Sequence, residues 1–267
     1  MKDKLHVINR EVSRIKKEVD VIAIIAVGSS KEIILKAQGL KIEDEEEKRQ
    51  QKEKENVIDF ASREKDKDIR DVDLFIVTNE DERKQLRQVK NTEGIEFDLN
   101  YFPEKVAKAM LEKKVQFFLE EVSAGRVVYD PEGKARDYIE HGRQIYDQGP
   151  PEASKGNLTY LKYNLKSKLD SIVSRKVEDD DLEFEFLFLA GQWLKNLLVY
   201  YFKTKGVWIP KDKEILKVLR EQDQVLCDKV KDFYEKKDTE TLKDIARYVF
   251  YEDGVKLGDE MRFKFKF

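Results

Sequence analysis

Gly28-Ser29-Ser30, which closes the apolar run VDVIAIIAV, and Asp71-x-Asp73, which opens DVDLFIVT, are the stretches of this chain whose residue types and spacing could do chemistry. Alternate residues of a strand point to one face, so Asp71 and Asp73 stand side by side on Cα atoms roughly 7 Å apart. In GIEFDLNYF the same alternation puts Glu96, Asp98 and Asn100 on one face, so Asp98 is a third acid that a neighbouring strand could bring to the other two. Carboxylates gathered at the end of an apolar strand repel one another and lose hydration, and a divalent cation offsets both penalties. Oxygen ligands without His or Cys indicate Mg²⁺ or Mn²⁺, whose shell is commonly completed by substrate phosphates. A nucleoside triphosphate is then the expected co-substrate. Gly28 would let the backbone approach a phosphate, and Ser29 or Ser30 would donate to it and cap a helix whose free N–H groups favour an anion.

Other chemistry is excluded by composition. Cys227 is the only cysteine, so neither an internal disulfide nor a thiolate cluster for zinc can form, and His6 and His141 lie far apart in sequence without metal-ligand spacing. VGSSK lacks the second glycine of a nucleophile elbow, and the chain has no Gly-Lys-Ser/Thr of a P-loop and no Gly-x-Gly-x-x-Gly. The 52 basic and 55 acidic residues nearly cancel to a net charge of −3, which leaves no broad positive field and disfavours long nucleic acids as partners. No apolar stretch approaches a membrane span and the N-terminus lacks a signal-peptide core, so a cytoplasmic protein is expected.

The elements that must position these residues follow from periodicity. Leu5, Ile8, Val12, Ile15 and Val19 recur at helical spacing; residues 21–27 and 71–78 read as strands buried on both faces. A short helix is expected over SSKEIILKAQGL, a charged insertion over about 41–68, a charged helix around 80–90 and a strand from Gly94. PEKVAKAMLEKKVQFFLEEVSAG predicts one amphipathic helix, RVVYD a strand extending the sheet, and residues 131–148 a further helix. GPPEASKGN interrupts all periodicity, which places a domain boundary there and gives domains 1–148 and 149–267. Beyond it the pattern is helical throughout, with LEFEFLFLAGQWLKNLLVYYFKTKG as the central helix of a bundle and MRFKFKF as an edge strand or frayed tail.

Strand, Gly28-Ser29, helix, strand with Asp71-x-Asp73 and a third acid, Asp98, on a following strand resembles the nucleotidyltransferase superfamily of the DNA polymerase beta type. The resemblance implies an α+β fold, with a mixed sheet flanked by helices and followed by an all-α bundle, as in two-domain antibiotic nucleotidyltransferases. It implies Asp71, Asp73 and Asp98 as catalytic metal ligands, and Gly28, Ser29 and Ser30 at the nucleotide. Trp208, Pro210 and Lys213 match a turn of some members, which suggests Lys213 as a phosphate-binding cation. This chain departs from the pattern in its much longer Gly-Ser to Asp-x-Asp interval and in Arg70, which stands where Ser or Thr is usual.

The expected activity is transfer of a nucleoside monophosphate, AMP first among them, from a triphosphate to a hydroxyl of a small-molecule or protein acceptor. The third acid would serve the attacking hydroxyl. A non-catalytic or toxin–antitoxin-like nucleotide-binding module and an RNA-tailing enzyme are the alternatives. The acceptor is not written in the sequence, and self-association as a homodimer is left open.

Overall fold

The computed structural model describes residues 2–30, 69–174 and 180–258. The helix expected over 31–40, the insertion at about 41–68 and the C-terminal tail lie outside them. The chain divides into two compact units, Met1–Gln148 and Gly149–Phe267.

In the first unit α1 (Lys2–Glu18) leads into β1 (Val21–Val27), a 3-10 turn over Gly28–Ser30, β2 (Asp71–Thr78), β3 (Leu86–Thr92) and β4 (Ile95–Pro103). Then come α2 (Glu104–Glu112), α3 (Gln116–Ser123), β5 (Arg126–Tyr129) and α4 (Lys134–Asp147). The five strands form one mixed sheet in the order β3-β4-β2-β1-β5. Only β2 and β4 run parallel; the other three pairings are antiparallel.

Each face of the sheet is covered by residues of a single parity. Ile24 and Ala26, Val72, Leu74 and Ile76, and Ile95, Phe97, Leu99 and Tyr101 form one core, onto which α1 lays Val7, Ile8 and Ile15. The opposite face carries Phe75 and Phe102, whose rings lie 4.9 Å apart and meet Phe118 of α3 at 5.6 and 5.0 Å. Such aromatic contacts add to simple area burial and make a rigid floor.

Two expectations are corrected here. Residues 86–92 are a strand, not part of a helix around 80–90: Glu93 (φ 52°) and Gly94 (φ 78°) make the two-residue, left-handed turn that suits a β-hairpin, and β3 folds back along β4 from Thr92↔Ile95 to Leu86↔Tyr101. The helix expected after Pro103 is two helices. Lys114 is left-handed (φ 50°), the Val115 N–H donates to the Met110 carbonyl at 2.9 Å and the Lys114 N–H to Leu111 at 3.0 Å, which is a Schellman ending without its usual glycine.

The second unit consists of α5 (Lys155–Val173), α6 (Asp180–Thr204), α7 (Ile215–Gln222), α8 (Gln224–Lys236) and α9 (Thr239–Glu252). Its core surrounds α6, with Ala190, Trp193, Leu197 and Phe202 packed against Leu165 and Leu169 of α5, Val230 and Phe233 of α8, and Leu242 and Ile245 of α9. Trp193 Nε1 donates to the Leu165 carbonyl at 2.8 Å, and Cys227 is a small buried helix residue. The buried Lys162 Nζ lies 2.8 Å from both oxygens of the Asp253 side chain, and Tyr200 Oη donates to Asp253 Oδ2 at 2.8 Å. No helix among the described residues is long and apolar enough to cross a membrane.

Candidate active site

The parallel register of β2 and β4 sets the site. Along one face the paired residues run Val77↔Phe102, Phe75↔Asn100, Asp73↔Asp98 and Asp71↔Glu96. They pass from buried and apolar to acidic and exposed within four residues of strand. The aromatic floor ends where the carboxylates begin. On the other side of β2, Val27 of β1 pairs with Asp73, so the chain leaves β1 at Gly28 directly beside that carboxylate. Gly28 has φ +64°, and a Cβ built there would lie 3.2 Å from Asp73 Cγ and closer still to its Oδ2. Only glycine fits that position without moving Asp73.

Sequence-predicted residues thus fall into three groups. Asp71, Asp73, Asp98 and Gly28 come together, and Ser29 joins them: its Oγ donates a long hydrogen bond of 3.4 Å to Asp71 Oδ2. Ser30 closes the 3-10 turn, but its side chain lies outside the described set. Lys213 stands in the second unit, exposed on the turn before α7.

Burial is the largest influence on Asp73, followed by the charges of Asp71, Asp98 and Glu121; they push its carboxyl up to about 6, against a smaller downward pull from Arg87. A carboxyl raised by like charges and dehydration is one that gains from a cation. The two carboxylates that could hold Mg²⁺ or Mn²⁺ as the protein folds are Asp71 and Asp73. Asp98 is otherwise engaged. Arg87 Nε donates to its two oxygens at 2.9 and 3.2 Å and the guanidinium Nη2 to Oδ2 at 2.6 Å, while Asn100 Nδ2 donates to Oδ1 at 3.1 Å. Accordingly, among the described residues no group of three or more His, Cys, Asp or Glu is arranged to hold a metal. Asp98 thus keeps its register beside Asp73 while both of its oxygens accept from Arg87.

Two contributors were missed from sequence. Glu121 of α3 accepts the Gly28 N–H at 2.8 Å and so fixes the turn beside the acids; it is one glutamate of an adjacent pair in a charged amphipathic helix, and no spacing marks it. Arg87 escaped because its strand reads as a charged helix. The Glu93-Gly94 dipeptide ahead of an alternating strand was the signal that could have revealed the hairpin.

No protein-family model matches the chain, and no curated protein matches it. Among solved structures it is similar to a nucleotidyltransferase-like protein from Exiguobacterium sibiricum 255-15, with 12% sequence identity and a TM-score of 0.47, over 93% of this chain and 74% of that one.

Proposed function

We propose that the chain is a Mg²⁺- or Mn²⁺-dependent nucleotidyltransferase that moves a nucleoside monophosphate, AMP foremost, from a triphosphate to a hydroxyl of a small-molecule or protein acceptor. The observation that carries this reading is the row Val27, Asp73, Asp98 across β1, β2 and β4, with the Gly28 backbone turning against the Asp73 carboxylate. That row places paired carboxylates beside a tight glycine turn, which is what a metal-bound triphosphate needs: anionic oxygens for the cation and close backbone for the phosphates.

In the transfer, the acceptor oxygen bonds to the α-phosphorus as the bridging bond to the β-phosphate breaks. Pyrophosphate leaves with the electron pair and the hydroxyl proton passes to a base. Asp71 and Asp73 would hold the divalent cation that accompanies the triphosphate, which would supply neutralisation of the charge on the leaving oxygens. Asp98, once released from Arg87, serves the side of the site where the hydroxyl loses its proton.

Calorimetric titration with ATP tests the reading. Binding is expected in the presence of Mg²⁺ and not in its absence, and Asp73→Asn is expected to abolish it while the far-ultraviolet circular dichroism stays unchanged. Equal ATP affinity in the folded variant sinks the assignment.

A further inference from the structure

The Arg87–Asp98 contact is more than an incidental surface pair. Arg87 lies diagonal to Asp98 across β3 and β4, its partners in register being Asn100 for Arg87 and Asp98 for Val89, so guanidinium and carboxylate share the face that carries the acids. Both Asp98 oxygens accept from the guanidinium. Asn100, itself held by Gln85 Nε2 at 2.8 Å, fixes the carboxylate from the strand side. The strand bearing Arg87 is anchored elsewhere, through the pairs Lys90–Glu11 and Arg10–Glu93 to α1. The arginine side chain is 64% exposed and that of Asp98 20%, so the cation can swing into water while the carboxylate stays where it is.

A guanidinium fork and a divalent cation compete for the same lone pairs, since a bidentate arginine uses the carboxylate oxygens that a metal would take. We propose that Arg87 is a charge clamp on Asp98: it holds this acid until a divalent cation displaces it, so the resting site takes one cation at Asp71 and Asp73 and a second only against Arg87. The inference rests on the metal–triphosphate reading of the site and adds to it a competitor for the third acid. Arg87 is thus a positioning residue that acts through Asp98.

If the clamped form dominates, the apparent affinity of the second cation is lowered by the fraction of protein in which Asp98 is free. For a partly exposed bidentate pair that reduction is on the order of threefold to tenfold. Mn²⁺ binding to the full chain without nucleotide, followed by the loss of the free-ion electron paramagnetic resonance signal, reads it directly. Arg87→Gln is expected to tighten the second, weaker Mn²⁺ site by that factor and to leave the first unchanged. The gain should vanish in Arg87→Gln/Asp98→Asn, and Arg87→Lys, a single-point cation without the fork, should fall between wild type and the Gln variant. Added salt should shrink the difference.

An unchanged second site in Arg87→Gln, or a gain that survives the added Asp98→Asn, overturns the clamp. Weaker Mn²⁺–ATP binding with unaltered binding of Mn²⁺ alone reassigns Arg87 to the phosphates, and also overturns it. These outcomes are distinct from failure of the underlying reading, which shows as no ATP bound by wild type in the presence of Mn²⁺ and removes both. Urea unfolding of each variant confirms that a folded protein is being titrated.

Discussion

Asp73→Asn isolates the electrostatic tension on which the site depends. Asp73 carries its carboxyl from an ordinary value of 3.8 up to about 6, with burial first among the causes and the neighbouring carboxylates next. A tenfold change in proton affinity between the folded and unfolded chain corresponds to about 1.36 kcal/mol, so the ionised group disfavours the fold by at most about 3 kcal/mol. Because Asp73 is only half-buried, solvent screening lowers this to about 1–2 kcal/mol. The folded state holds its proton longer than the unfolded one, so the penalty is absent below pH 4, grows as pH rises through 4 to 6, and is complete at neutral pH. Asn is neutral throughout and nearly the same shape. The variant should therefore equal wild type near pH 4 and exceed it by about 1–2 kcal/mol at pH 7.5 without divalent cations. Trp193 and Trp208 both lie in the second unit, so fluorescence does not follow the sheet. Hydrogen exchange of β2 and β4 amides during urea unfolding does. A variant less stable than wild type at pH 7.5, or a difference independent of pH, refutes the reasoning.

Gly28→Ala should cost about 1–2 kcal/mol for the left-handed backbone alone and displace Asp73, so that Mn²⁺ affinity falls along with stability; retention of both in titration and unfolding contradicts the close approach. Glu11 is buried on α1, where Arg14 donates to it at 3.0 and 2.7 Å and Lys90 of β3 pairs with it. Burial pushes its carboxyl up, but the hydrogen bonds from Arg14 and Lys90 outweigh it and bring the value below the ordinary 4.5. Glu11→Gln should therefore lower stability by about 2 kcal/mol at pH 7, a difference lost as pH falls through 4.5 and below the folded value, as urea unfolding at several pH values will show. In the second unit, Asp253→Ala leaves Lys162 buried without its carboxylate and Tyr200 without its acceptor, and should cost about 3–5 kcal/mol, read from the tryptophan fluorescence midpoint in urea.

Much of the site was legible because strand alternation is an exact period of two. Ile95, Phe97, Leu99 and Tyr101 had to share one face if Asp98 shared the other, and a glycine at the end of β1 marked the place where the backbone turns. What periodicity does not carry is pairing. Nothing in DVDLFIVT or GIEFDLNYF states that these strands lie parallel with Asp73 opposite Asp98; the register follows from three-dimensional packing of both faces. The β3 strand, LRQVKNT, was hidden because an edge strand with largely exposed residues has charge on both faces and resembles a solvated helix. Its misreading concealed Arg87 too. The helix break at Lys113–Val115 was hidden for another reason, since a lysine occupies the left-handed position where glycine would have announced it. Glu121 reaches the site from a helix, across a distance in sequence that no local pattern spans.

Nucleotidyl transfer is decided by the phosphate product released from ATP labelled at the γ position, in Mg²⁺ and in the presence of candidate hydroxyl acceptors. Attack at the α-phosphorus predicts that the label leaves as pyrophosphate, with release lost in Asp73→Asn. Label recovered as orthophosphate, or pyrophosphate formed equally well by the Asp73→Asn protein, rules out nucleotidyl transfer at this site.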